Sequence, residues 1–266
     1  VCSSDLKVLV RNSEGKYLPG VIAAKPVHFM SASEKASAGA ADISSLSIDI
    51  GAVSAKDAAE NFKIRIGEPV VPDVTLEYDE EHDLMFGKAF DCRIGCAALI
   101  ETLRRLKDEK LDVDVVGVLS SQEEVGERGM KVAVNHIKPQ IAICFEGCPA
   151  DDTFTEPYAV QTAFKKGPML RFMDKSIICT PRYQRYALDL AEKRGLMAQA
   201  SVREGGGNNG AIVHTSLDGI PSIVIGVPVR YIHSVHGIAS YYDFEATVKL
   251  AVEIVKSMNG DIIKSF

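Results

Sequence analysis

The chain has 266 residues, 46% of them hydrophobic, enough for one large buried core or for one core plus a small second domain. A formal net charge of -6, with 30 basic residues scattered along the chain, argues against nucleic-acid or membrane-surface binding as its main task. No apolar run approaches the ~20 residues that span a bilayer, no secretory signal pattern opens the chain, and its cysteines are too sparse for a disulfide scaffold, so the cytoplasm is the expected compartment.

The opening hexapeptide "VCSSDL" has no initiator Met and resembles the translated tail of a sequencing-library adapter. The expectation is that residues 1–6 are not natural protein and that the native N-terminus is missing. Residues 7 to 74 carry short apolar runs, "KVLV", "GVIAAKPVHF" and "SLSIDIGA", separated by Gly and Pro, which predicts a small β-rich module. One helical turn is expected there, in "SAKDAAENF" with Ser54 as N-cap. The run "GEPVVPDVTLEY" reads as the strand returning from that module, with a boundary near Val74.

From residue 75 to 266, predicted strands alternate with helices. Ile94 to Lys107 has apolar residues at 96, 99, 100, 103 and 106, a helical spacing. "DVDVVGVLSS", "QIAICF" and "PSIVIGVPV" read as continuous apolar strands of the kind buried in a parallel sheet. "TPRYQRYALDLAEKRG" is a marked helix, with Thr180 as N-cap, Pro181 in the first turn and Gly195 past the end. "DFEATVKLAVEIVKSMNG" predicts a closing amphipathic helix from an Asp243 cap to Gly260. The class expected is α/β, layered, with a mostly parallel central sheet.

All three strands run into residues with metal-ligand chemistry: the first into Glu123 and Glu124, the second into Glu146, the third into His233. Asp91 precedes a helix start in "KAFDCRIG". Open α/β sheets bind ligands beyond the carboxyl ends of their strands. Carboxylates with imidazole suit zinc, cobalt or manganese, and a divalent cation would remove the repulsion between adjacent Glu123 and Glu124. Taken singly, a Glu-Glu pair is equally a solvated turn, a His near a strand end a hydrogen-bonded residue, and Asp91 a helix cap.

Five ordered segments decide between these readings: "GKAFDCRIGCAALIETL", "SSQEEVGERGM", "FEGCPADDTF", "GGGNNGAIVHT" and "PVRYIHS". In order and spacing they resemble the dinuclear metallo-aminopeptidases that include glutamyl, deblocking and tetrahedral aminopeptidases. The resemblance covers almost everything after residue 7. It implies a zinc-peptidase-type α/β domain interrupted by a small β-rich domain used in oligomerisation, with 7–74 as the later part of that insert. It implies a peptidase that releases N-terminal residues from peptides through a water activated by two divalent ions (zinc or cobalt, or manganese), in a homo-oligomer ranging from dimer to dodecamer. By the same resemblance Asp91 bridges the two metals, Glu124 and His233 complete one site, Glu146 closes the other, and Glu123 is the general base. Gly206, Gly207 and Asn208 are expected to line the substrate site, Asn208 standing where many relatives carry Asp.

One element of that pattern is missing. The family takes a further His ligand from an early His-x-Asp motif, and no such motif occurs here. His28 falls inside the insert and His82, in "YDEEHDL", reads as solvated. One metal site is therefore expected complete and one without its imidazole, in a chain impaired as a catalyst. Two Cys-x₃-Cys pairs, Cys92 with Cys96 and Cys144 with Cys148, offer a competing structural zinc, although small buried thiols beside the site are the simpler reading. A related di-metal amidohydrolase or deacylase, or an assembly subunit without catalysis, are the alternative functions.

Overall fold

The computed structural model describes residues 6–23, 25, 27–31 and 46–266. The chain divides into two compact units, Val1–Thr75 and Leu76–Phe266. All of the expected adapter segment except Leu6 lies outside the described residues, as do Ala24 and Pro26 of "GVIAAKPVHF".

The first unit is a four-stranded antiparallel sheet. β1 (Lys7–Arg11) and β2 (Tyr17–Ala23) form a hairpin, β3 (Ser47–Asp49) lies outside β2, and β4 (Val70–Pro72) pairs with β1. Asn12 sets the hairpin turn, its Oδ1 accepting from Glu14 N at 3.0 Å and Lys16 N at 2.9 Å, as Asx turns do. Val8 and Val10 point to the buried side while their neighbours do not, the period-2 pattern of a half-buried strand. Ser54 caps α1 (Ala55–Glu60), accepting from Asp57 N at 3.0 Å. His28 is exposed in a short 3₁₀ turn, Val27–Phe29.

The second unit is built on a seven-stranded sheet. It contains β5 (Glu77–Asp79), β6 (Leu84–Gly87), β7 (Ala142–Pro149), β8 (Met169–Met173), β9 (Gln199–Val202), β10 (Ser222–Arg230) and β11 (Gly237–Ala239). β10 is the axis: β7 runs parallel along it, while β8 and β11 pair antiparallel to successive parts of it. The layered α/β class is as expected, but the sheet is mixed rather than mostly parallel. Only β10 with β7 and β8 with β9 are parallel; β5/β6, β6/β11, β11/β10 and β10/β8 are antiparallel. An apolar run reports burial on both faces, which β10 has at eight of its nine positions, but carries no information on strand direction.

Ile223 and Ile225 of β10 and Leu170 of β8 pack against α4 (Pro181–Lys193) and α6 (Tyr241–Ser257) through Tyr183, Ala187, Leu250 and Ile254. Val227 and Val229 pack against Phe90 and Ile94 of α2 (Phe90–Leu106). Val224 faces the other way, toward Cys144, Ile177 and Cys179. There α5 (Gly210–Val213) and α3 (Arg128–Ile137) pack through Val213 and Val134. The chain closes with α7 (Gly260–Lys264), capped by Asn259.

Three predicted elements come out differently. "DVDVVGVLSS" is not a strand: it has no ladder partner among the described residues, and Val116 and Leu119 are 61% and 60% exposed. A strand exists only where another backbone takes its hydrogen bonds, and an apolar run cannot specify that partner. The buried stripe of α2 is Ile94, Ala98, Thr102 and Leu106, whereas Cys96 and Ile100 of the expected stripe face solvent. The final long helix is capped by Ser240, not Asp243. The Asp243 carboxylate is buried and accepts from Lys165 N at 2.7 Å and Gly167 N at 2.8 Å, so it ties a loop to the helix instead.

Candidate metal centre

Asp91 sits where α2 begins irregularly. Ala89 is left-handed at φ 52°, Asp91 and Cys92 depart from helical angles, and the peptide between them is cis. His233 Nε2 lies 2.9 Å from Asp91 Oδ2. His233 stands in the turn after β10, which is held by Ser234 N and Oγ donating to Tyr231 O.

Glu146 lies inside β7, opposite Gly226 of β10, rather than at the strand's end. It is 8% exposed and forms no ion pair among the described residues. Burial pushes its pKa up to about 8, and Glu123 and Asp91 add to the rise; the Cys92 thiol and the charge of Arg171 oppose it. One ligand atom each from Asp91, Cys92 and Glu146 lies within 4.8 Å of the other two, and this is the sole such group among the described residues. The two Cys-x₃-Cys pairs therefore do not converge: Cys96 is exposed, and Cys144 and Cys148 are buried in the core.

Glu123 is held by a compact turn between the apolar run and α3. Gly126 N and Glu127 N both donate to Glu123 O at 2.9 Å, and Gly129 N donates to Ser121 O at 2.8 Å. Gly129 is required by close approach, since a Cβ there would meet the Ser121 backbone. Glu123 is half-buried and its pKa rises to about 7, first through burial and then through the charges of Glu124, Asp91 and Glu127. Glu124 is exposed and lies outside the Asp91–Cys92–Glu146 group.

The Gly-rich loop approaches Glu127, one of the carboxylates acting on Glu123. A Cβ on Gly207 would lie 3.4 Å from Glu127 Oε1 and 3.5 Å from Ser176 Oγ, and one on Gly206 would lie 3.6 Å from Arg171 Nη1. Asn208 is buried, and its amide is used within the loop: Nδ2 donates to Asp174 Oδ2 at 3.0 Å and Oδ1 accepts from Gly210 N at 2.8 Å. Arg171 Nη1 donates to the same Asp174 Oδ2 at 3.0 Å, so a buried ion pair anchors the loop. Sequence reading missed Glu127, Arg171 and Asp174. Only the GERG spacing after the Glu pair pointed to the first, and nothing local pointed to the other two. His82 is exposed, with Nδ1 2.8 Å from Asp79 Oδ2, in keeping with a solvated turn.

This mixed sheet covered by helices is the zinc-peptidase type of α/β fold, as its superposition on solved aminopeptidases shows. Residues 3–250 match the model of the M42 glutamyl aminopeptidases, and the chain belongs to that family. The glutamyl aminopeptidase of Lactococcus lactis is 32% identical over 247 residues, covering 93% of this chain and 68% of that protein. The TET aminopeptidase of a marine sediment archaeon of the Thaumarchaeota superposes with a TM-score of 0.93 at 32% identity, over 99% of this chain and 74% of that one. The Pyrococcus horikoshii TET1 peptidase, described as assembling into a tetrahedron or a large octahedral shell, has a TM-score of 0.84 at 28% identity, over 97% and 73%. The chain spans 62% of the length of a further relative, from Acetivibrio thermocellus, that is 35% identical over 213 residues. Among the described residues no helix is long and apolar enough to cross a membrane.

Proposed function

We propose that this chain carries the central machinery of a metal-dependent aminopeptidase that hydrolyses peptides from a free N-terminus. The observation that carries the reading is the siting of Glu123: half-buried, with a pKa near 7, among carboxylates that, among the described residues, no ion-paired cation offsets except the 2.9 Å contact of His233 on Asp91. A buried carboxylate group without a cation is costly, and its oxygen, nitrogen and sulfur donors fit zinc or cobalt. Asp91, Glu124 and His233 would hold one metal, and Asp91 and Glu146 the second. Divalent ions held there supply Lewis acidity, acidifying water and polarising the scissile carbonyl.

Glu123 acts as general base, taking the proton from the attacking water and delivering it to the leaving amine nitrogen. In the metal-free chain burial and then the charges of Glu124, Asp91 and Glu127 raise its pKa to about 7, and cations held by Asp91 and Glu124 would offset the charge contribution. Gly206 and Gly207 let substrate approach the loop backbone. Asn208 fixes the loop through Asp174 and Gly210. The first unit, proposed to be part of an inserted oligomerisation domain, exposes Tyr17, Val21 and Ile48, which supports a homo-oligomer.

The 266 residues contain no His-x-Asp motif, and turnover by this polypeptide is proposed to be low. The test is release of the N-terminal residue from free-amine and N-blocked peptides by the purified chain with zinc or cobalt, alongside metal stoichiometry and light scattering. Weak cleavage confined to free-amine peptides is expected. Cleavage of the blocked set instead identifies a deacylase, and no cleavage with no metal bound identifies an assembly subunit.

A further inference from the structure

Cys92 was expected to be a packing residue, yet its sulfur belongs to the metal-competent group. It lies with Asp91 and Glu146 donor atoms, all within 4.8 Å of one another. The sulfur also occupies a slot that the fold keeps open. A Cβ at Gly95 would come within 2.5 Å of Cys92 Sγ and 2.7 Å of Phe145 O, so glycine at 95 admits the thiol against β7. Sγ donates to Phe145 O at 3.3 Å, a weak bond that a cation can replace. Glu146 faces that thiol from a nearly dry position and has no ion-pair partner among the described residues. The other thiol of the segment, Cys96, points to solvent outside the group.

We propose that the Cys92 thiolate joins Asp91 and Glu146 as a ligand of the second metal position. This rests on the metal reading of the same site. On binding, a sulfur–metal bond forms, the S–H proton passes to solvent, and no electrons are transferred. Zinc-to-ligand distances of about 2.3 Å for sulfur and about 2.1 Å for oxygen put donors on a tetrahedral ion about 3.6 Å apart, so closure requires side-chain movements of roughly an ångström. Thiolate selects zinc, cobalt(II) or cadmium over magnesium, calcium or manganese.

The experiment is a cobalt(II) titration of the reduced, full 266-residue chain, following the visible d–d bands and the near-ultraviolet sulfur-to-cobalt charge-transfer band. Both bands are expected in the wild type and in Cys96→Ser. In Cys92→Ser the charge-transfer band should vanish and cobalt affinity fall at least roughly tenfold, the smallest loss reported for removing even an outer partner of a ligand. Should Cys92→Ser misfold, alkylation mapping of the wild type replaces it: saturating zinc should slow modification of Cys92 and leave Cys96 unchanged. Visible bands without charge transfer, charge transfer surviving in Cys92→Ser, or equal alkylation rates with and without zinc overturn the sulfur assignment while leaving the carboxylate site intact. No cobalt bound at all overturns both this assignment and the metal reading beneath it.

Discussion

Replacing Glu146 by Gln should stabilise the metal-free chain at alkaline pH. Glu146 is 8% exposed, and burial raises its pKa from an ordinary 4.5 to about 8. A raised folded-state pKa means the folded chain holds the proton longer than the unfolded chain. Its contribution is therefore fully present below about pH 4.5 and is lost as pH rises toward 8. The difference between the two protonation states is about 5 kcal/mol, and water entry and side-chain relaxation bring the observable loss to about 2–3 kcal/mol. Glu146→Gln keeps the shape and removes the charge. In chelator, urea denaturation at about pH 5 should give equal stability for wild type and variant, and at about pH 9 the variant should be about 2–3 kcal/mol more stable. Adding zinc should reverse the order at the higher pH, because only the wild type gains a charged ligand. A wild type with the same stability as the variant at both pH values would refute the argument that an uncompensated carboxylate is buried there.

Glu123→Gln should cut release of N-terminal residues by roughly 10²–10⁴ relative to the wild-type chain while bound metal stays the same, measured by steady-state rates and metal analysis. Gly129→Ala forces a Cβ into the Ser121 backbone, so thermal stability should fall by about 1–3 kcal/mol and cobalt affinity with it, as the Glu123 turn shifts; an unchanged melting temperature and affinity would show that the turn tolerates the atom. Leu250→Ala empties a fully buried site between α6 and the sheet and should cost about 3–5 kcal/mol in urea denaturation, with no change in the denaturant slope.

Much of the layering was legible because its signals are local. Pro181 with Gly195 bounded α4, Ser54 capped α1, and the run in β10 announced a strand buried on both faces. The "DVDVVGVLSS" run carried an equal signal and became exposed irregular chain, because hydrogen-bond partnership is a property of two segments, not one. The same limit explains Asp243, a cap by composition and a buried loop anchor in fact.

The candidate site divides along the same line. Residue types and the order of the motifs singled out the candidates, Asp91, Glu123, Glu124, Glu146 and His233, with Gly206, Gly207 and Asn208 proposed for substrate. Only the tertiary structure decided how they meet. Asp91 touches His233 across 142 positions of sequence, Glu146 sits in mid-strand beneath Cys92, and Asn208 turns inward to Asp174 while Glu127 comes up against Gly207. Residue type sets what a side chain can donate or hold, and sequence therefore records it. Distance, burial and the resulting shift in proton affinity arise from chain segments far apart in sequence, and only packing brings them into contact.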